Sequence, residues 1–86
     1  MKLKVVAIYD RAADAYGVPN FVAAIGSAVR GFGDEVNRVA GDNALYQHPE
    51  DFDLYELGEY DDQLARFELL ADRRLIARAQ DLKRGE

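Results

Sequence analysis

The chain has 86 residues, no cysteine and a formal net charge of −5. That length makes one domain over residues 1–86, near the small end of what folds unaided, and the missing cysteines exclude a disulfide framework and thiolate metal sites. With 49% hydrophobic residues a packed core is favoured over disorder, supplemented by surface buried against a second copy if the core is too small.

The longest apolar runs, residues 5–9 and 21–25, are too short to span a bilayer. The opening Met-Lys-Leu-Lys-Val-Val runs straight into strand-like residues without a cleavage-site pattern. A cytoplasmic protein with no membrane partner is expected. The charge is unevenly spread: residues 1–33 carry four basic and two acidic groups, residues 34–62 one basic and ten acidic, and residues 63–86 six basic and four acidic. Nucleic-acid binders usually carry a basic excess, because phosphate neutralisation supplies most of their affinity. Any DNA contact here has to be local, with the basic ends on one face and the acidic centre turned away. The same polarity suits self-association.

In chain order, residues 3–9 are rich in β-branched and aromatic types. Leu3, Val5, Ala7 and Tyr9 fall on one face, while the other begins at Lys2 and Lys4 and turns apolar at Val6 and Ile8. This predicts a central strand covered on both sides over its later half. Residues 10–14 are a polar connection, and Ala15-Tyr16 begins a second strand. Gly17-Val18-Pro19-Asn20 interrupts it and confines it to an edge; Phe21-Val22-Ala23 resumes the extended chain. Ile25, Ala28, Val29, Phe32 and Val36 then recur at spacings of three and four, the apolar stripe of a helix. Gly26, Gly31 and Gly33 each weaken that helix by roughly 1 kcal/mol relative to Ala, which implies close packing on a sheet or reliance on tertiary contacts. Asn37 is suited to the left-handed position that closes helices. Residues 38–51 read as a long loop, a candidate functional segment.

Residues 52–60 predict a third strand, with Phe52 and Leu54 on one face and Tyr55 and Leu57 on the other. Gly58 marks a bulge or a close backbone approach. Asp61-Asp62-Gln63 reverse the chain, and residues 65–70 return as a fourth strand with Phe67 and Leu69 facing one way and Arg66 and Glu68 the other. In the tail, Leu75, Ile76, Ala79 and Leu82 sit at helical spacing among five basic residues, which predicts a short basic amphipathic helix over residues 72–83. The fold class is α+β: a four-stranded, mostly antiparallel sheet in the order β-β-α-β-β, with one main helix.

The acidic residues Glu50, Asp51, Asp53, Glu56, Glu59, Asp61 and Asp62 form a band that could offer oxygen ligands to Mg²⁺. They lie on both strand faces without a Lys, Arg or His in catalytic spacing, so a solvated strand surface that discourages edge pairing is the expected reading. His48 is the only histidine, which leaves no His-pair metal site and no triad; beside Pro49 it is expected to hydrogen-bond the turn or the start of the third strand. Gly31-Phe32-Gly33 lacks the lysine and hydroxyl of a phosphate loop. The expectation is a non-enzymatic protein with no metal and no cofactor. Five tyrosines and four phenylalanines are a generous aromatic count. Aromatics on a sheet face stack on single-stranded bases; Phe32, Phe52 and Phe67 are expected to form the core instead, while Tyr9, Tyr16, Tyr55 and Tyr60 either stack or edge that core with their hydroxyls in water.

The segments KLKVVAIYD (residues 2–10), AYGVPNF (15–21), AVRGFGDEVN (28–37), HPEDFDLYELGEYDD (48–62) and FELL (67–70) occur in this order. Together they resemble the small nonstructural protein of gokushoviruses, the single-stranded DNA microviruses of bacteria (Microviridae), over roughly residues 2–82. The resemblance implies binding of single-stranded DNA in the host cytoplasm, during genome replication or the switch from replication to packaging; it supplies no catalytic residues. The residues expected to serve that function are Lys2, Lys4, Arg11, Arg30, Arg73, Arg74 and Arg78 on phosphates, with Tyr9, Tyr16 and Tyr55 stacking on bases. The competing expectation is a protein-interaction module that docks a host or viral replication or assembly factor through the acidic strand. A homodimer suits both.

Overall fold

The structure, a computed structural model, describes residues 1–85. Its elements are β1 (Lys2–Asp10), β2 (Ala15–Tyr16), β3 (Asn20–Val22), α1 (Ile25–Val36), α2 (Ala44–Gln47), a 3₁₀ turn at Pro49–Asp51, β4 (Phe52–Asp61), β5 (Arg66–Arg78) and α3 (Ala79–Leu82). All strand pairs are antiparallel, in the order β2-β1-β4-β5, with β3 also on the outer edge of β1. The α+β class and the hairpins either side of one main helix agree with the sequence. The sheet has five strands because the break at Gly17-Val18-Pro19 divides the second stretch in two: Tyr16 pairs with Tyr9, and residues 20–22 pair with residues 4–6.

The core lies between α1 and one sheet face. Ala28, Phe32 and Val36 of the helix stripe pack against Val6, Leu54 and Ala79, with Ile8, Val22, Phe52, Ile76 and Leu82 around them. The helix glycines do not mark close packing on the sheet. Nothing lies within 4 Å of a Cβ built at Gly26 or Gly31, and at Gly33 the nearest atom is a Leu82 methyl at 3.7 Å. The helix relies on its tertiary contacts.

Asn37 does close the helix, but not in the left-handed conformation: its φ is −100°. Its side-chain amide donates to the carbonyls of Gly33 (2.7 Å) and Leu82 (3.0 Å), and its Oδ1 accepts the N–H of Arg84 (2.7 Å). The side chain thus adds a second bond to a helix carbonyl that already accepts the Asn37 N–H and ties residues 82–84 to α1. Asn43 does the same for residues 38–51. Buried, it donates to the carbonyls of Glu35 and Arg38 and caps α2 by accepting the N–H of Leu45. The long loop is therefore ordered structure. His48 bonds the turn through its backbone, its N–H to Ala44 and its carbonyl from Asp51.

The tail departs most from the sequence reading. Residues 72–78 continue β5, and only Ala79–Leu82 are helical. The β4 residues 53–56 offer an open edge, and Arg74, Leu75, Ala77 and Arg78 pair with it; satisfying those backbone groups outweighs the helical spacing of Leu75 and Ile76. Between Arg74 and Leu69 the register breaks, and residues 70–73 stand opposite Leu57 alone. Gly58 has a φ of +155°, and a Cβ there would meet the Glu68 carbonyl and come within 2.7 Å of the Leu69 Cα. It is the close backbone approach that the sequence implied.

Two substitutions separate these glycine roles. Gly58→Ala should destabilise by at least about 2 kcal/mol, from strained φ and backbone overlap. Gly31→Ala should stabilise by about 0.5–1 kcal/mol, since helix propensity improves into open space. Urea unfolding measures both.

Candidate nucleic-acid interface

Antiparallel partners share a sheet face, so the register sorts the side chains. On the helix side, Lys2, Lys4, Val6 and Ile8 alternate along β1 against Asp61, Glu59, Glu56 and Leu54 of β4. Where α1 ends, that face becomes a lattice of ion pairs. Lys4 Nζ lies 2.6 Å from Glu59 and 4.0 Å from Glu56, Arg74 donates to Glu56 from the far side, and Lys2 reaches Glu68 at 3.3 Å. Glu56 is 4% exposed, and two cations compensate its burial.

The opposite face carries no helix. Leu3, Val5, Ala7 and Tyr9 meet Tyr60, Gly58, Tyr55 and Asp53 there. Tyr16 and Phe21 join from β2 and β3, and Phe67, Leu69 and Leu75 from β5. The aromatics gather in two groups. Tyr9, Tyr16 and Tyr55 form one, with ring centroids 4.9, 5.8 and 6.4 Å apart. The Arg73 guanidinium lies 4.8 Å from the Tyr55 ring centre and 5.6 Å from that of Tyr16, a cation–π arrangement. Phe21, Tyr60 and Phe67 form the other, at 4.8 to 6.1 Å.

Of the residues expected to form the site, Tyr9, Tyr16, Tyr55 and Arg73 come together on this open face. Arg78, opposite Asp53 in register, extends it at one end. Among the described residues neither Arg73 nor Arg78 makes an ion pair. Arg11 borders the face, but its guanidinium is held 3.1 Å from Asp53 and donates to the Glu50 carbonyl at 3.1 Å. Lys2, Lys4 and Arg74 are on the other face in the ion-pair lattice, and Arg30 lies on α1, exposed on the covered side. These four do not join the tyrosines. The face parity of Lys2 and Lys4 is readable in the sequence; that the tyrosines occupy the uncovered side is not.

The acidic band differs from its expected form. Asp53 and Glu56 are buried, 2% and 4% exposed, rather than solvated. Asp53 Oδ2 faces Arg11, while its Oδ1 has no hydrogen-bond partner among the described residues. Phe67, expected in the core, is 53% exposed and belongs to the second aromatic group, with Phe21 and Tyr60; of these three, only Tyr60 is open to a stacking role from the sequence. His48, Glu50 and Asp51 bring ligand atoms within 4.8 Å of one another. All three stay accessible to solvent, unlike a preorganised ion site.

Two titrations report this geometry. The Tyr9 hydroxyl donates to Asp14 Oδ1 at 2.5 Å, and that bond, with burial and the negative charge, raises its pKa above the ordinary value. The Glu59 carboxyl is lowered by its hydrogen bond and attraction to Lys4.

The architecture is that of a single-sheet α+β protein with one face covered by the main helix and the other left uncovered by it. The chain belongs to the Phage ORF5 protein family, whose model matches residues 3–82, and is thus a phage protein. No curated protein and no solved structure matches it. Among the described residues, no helix is long and apolar enough to cross a membrane.

In a spectrophotometric titration, one tyrosine should ionise above the normal range and return to it in Asp14→Asn. Because Glu59 is lowered in the folded state, its pairing stabilises the fold at neutral pH and is lost as pH falls through that depressed value. The urea midpoint should therefore fall on acidification, and by less in Lys4→Met.

Proposed function

We propose that this phage protein binds single-stranded DNA across its open sheet face, as a non-enzymatic factor in genome replication or in the switch from replication to packaging. The setting is a single-stranded DNA phage of the gokushovirus kind, in the host bacterial cytoplasm. One observation carries the reading: three tyrosines and an arginine that makes no ion pair among the described residues share a sheet face that the helix leaves uncovered. Aromatic rings accept any base, and each stacked base contributes roughly 1–3 kcal/mol. Arg73 and Arg78 supply the positive charge for the backbone. The net charge of −5 weakens long-range attraction to DNA, so the reading rests on local contacts; Glu56 and Glu59 lie on the opposite face, paired with Lys4 and Arg74.

The alternative, docking of a host or viral factor through the acidic strand, loses support from the same ion pairs: Asp53, Glu56 and Glu59 are already engaged within the chain.

Fluorescence anisotropy with a labelled oligo-dT tests the proposal. Tyr55→Ala and Arg73→Ala should each weaken binding roughly tenfold, whereas Lys4→Ala should leave it unchanged. With two phosphate contacts, the slope of log affinity against log salt should be only about −1 to −2, given ≈ −0.7 per contact on single strands. Absence of binding at low salt, or equal sensitivity to Lys4→Ala, contradicts the proposal.

A further inference from the structure

We propose that the distal, purely apolar half of the open face is occupied by a second copy of this chain, forming a two-fold dimer. Val18, Pro19, Phe21, Leu57, Phe67 and Leu69 line a groove of about 490 Å³ with apolar walls. Four of them are strongly exposed: Val18 at 85%, Leu69 at 69%, Phe67 at 53% and Phe21 at 48%. At this end of the sheet Lys2, Lys4, Glu59 and Glu68 pair on the opposite face, and Arg66, opposite Asp61 in register, belongs to that face as well. No cation stacks on Phe21, Tyr60 or Phe67 among the described residues, in contrast to Arg73 over Tyr16 and Tyr55. Among the described residues the distal half thus offers no cation for the phosphate contacts that carry nucleic-acid affinity, and exposed apolar patches of this kind mark interaction sites, protein contacts among them.

Three features select a second copy as the occupant. The largest fully buried side chain is Val36, a small core for a chain without disulfides, and domains of this kind gain stability by association. The six groove residues expose on the order of 500 Å² of apolar surface per copy, taking about 150–250 Å² for a whole aromatic side chain. Two copies face to face would bury about 1,000 Å², the threshold for a specific interface. Extension of the sheet is disfavoured, because the break at residues 70–73 disrupts the β5 edge. A two-fold axis across the face lets Val18 of each copy enter the groove of the other.

Sedimentation equilibrium of the full chain over a concentration series, without DNA, tests this independently of the nucleic-acid reading. The native protein should sediment as a dimer. Leu69→Glu and Val18→Asp should each weaken it at least tenfold while far-UV circular dichroism stays unchanged, and Arg73→Ala should leave the dimer intact. A monomer at every concentration, or a dimer indifferent to both Leu69→Glu and Val18→Asp, overturns the proposal. A monomer whose oligo-dT affinity falls in Leu69→Glu also overturns it, and reassigns the groove to nucleic acid.

Discussion

A single short helix has to cover a long sheet, and it cannot. The twelve residues of α1 span about 18 Å at 1.5 Å per residue, whereas the molecule is 45 Å along its longest axis. The helix-side core is confined to the stretch beneath that helix, where Phe32 and Val36 meet Val6 and Leu54. Everything beyond it has to be stabilised in another way, and the two faces of the sheet do so differently.

On the helix side, the strands replace apolar contacts with charge. Lys4 sits between Glu56 and Glu59, and Arg74 holds Glu56 from the neighbouring strand. The exposed members of such a lattice contribute little individually, but they neutralise an acidic strand and keep that surface wet. On the other side, aromatic rings cover the backbone without sealing it. Val5 and Ala7, 3% and 1% exposed, are shielded on that side by neighbours such as Phe21, Tyr9 and Tyr55, whose rings stay partly accessible. Burial on this face therefore leaves an aromatic surface available. Charge and aromaticity are segregated by strand parity, so the negative net charge and the aromatic face coexist.

Much of the frame was legible in the sequence. The stripe from Ile25 to Val36 located the helix, Pro19 marked the interrupted edge, and Gly58 marked the close approach of two backbones. Residues 72–78 were misread because Leu75 and Ile76 suit a helix locally; only the unpaired β4 edge makes them a strand, and that edge is a tertiary fact. The burial of Asp53 and Glu56 was invisible for the same reason. Their partners Arg11 and Arg74 are distant in sequence and adjacent only through the register. Among the site residues, Tyr9, Tyr16, Tyr55 and Arg73 were recognised as types that suit nucleic acid. Lys4 and Arg74 were placed with them on composition, although strand alternation and pairing put those two on the other face.

Amide and side-chain NMR of the uniformly labelled protein, titrated with oligo-dT, tests whether single-stranded DNA lies on the open face, as proposed. Shifts should then concentrate at Tyr9, Tyr16, Tyr55 and Arg73, with α1 and the Lys4–Glu59 pair undisturbed. Shifts centred on Arg30 and the helix side, or no shifts at low salt, would contradict it.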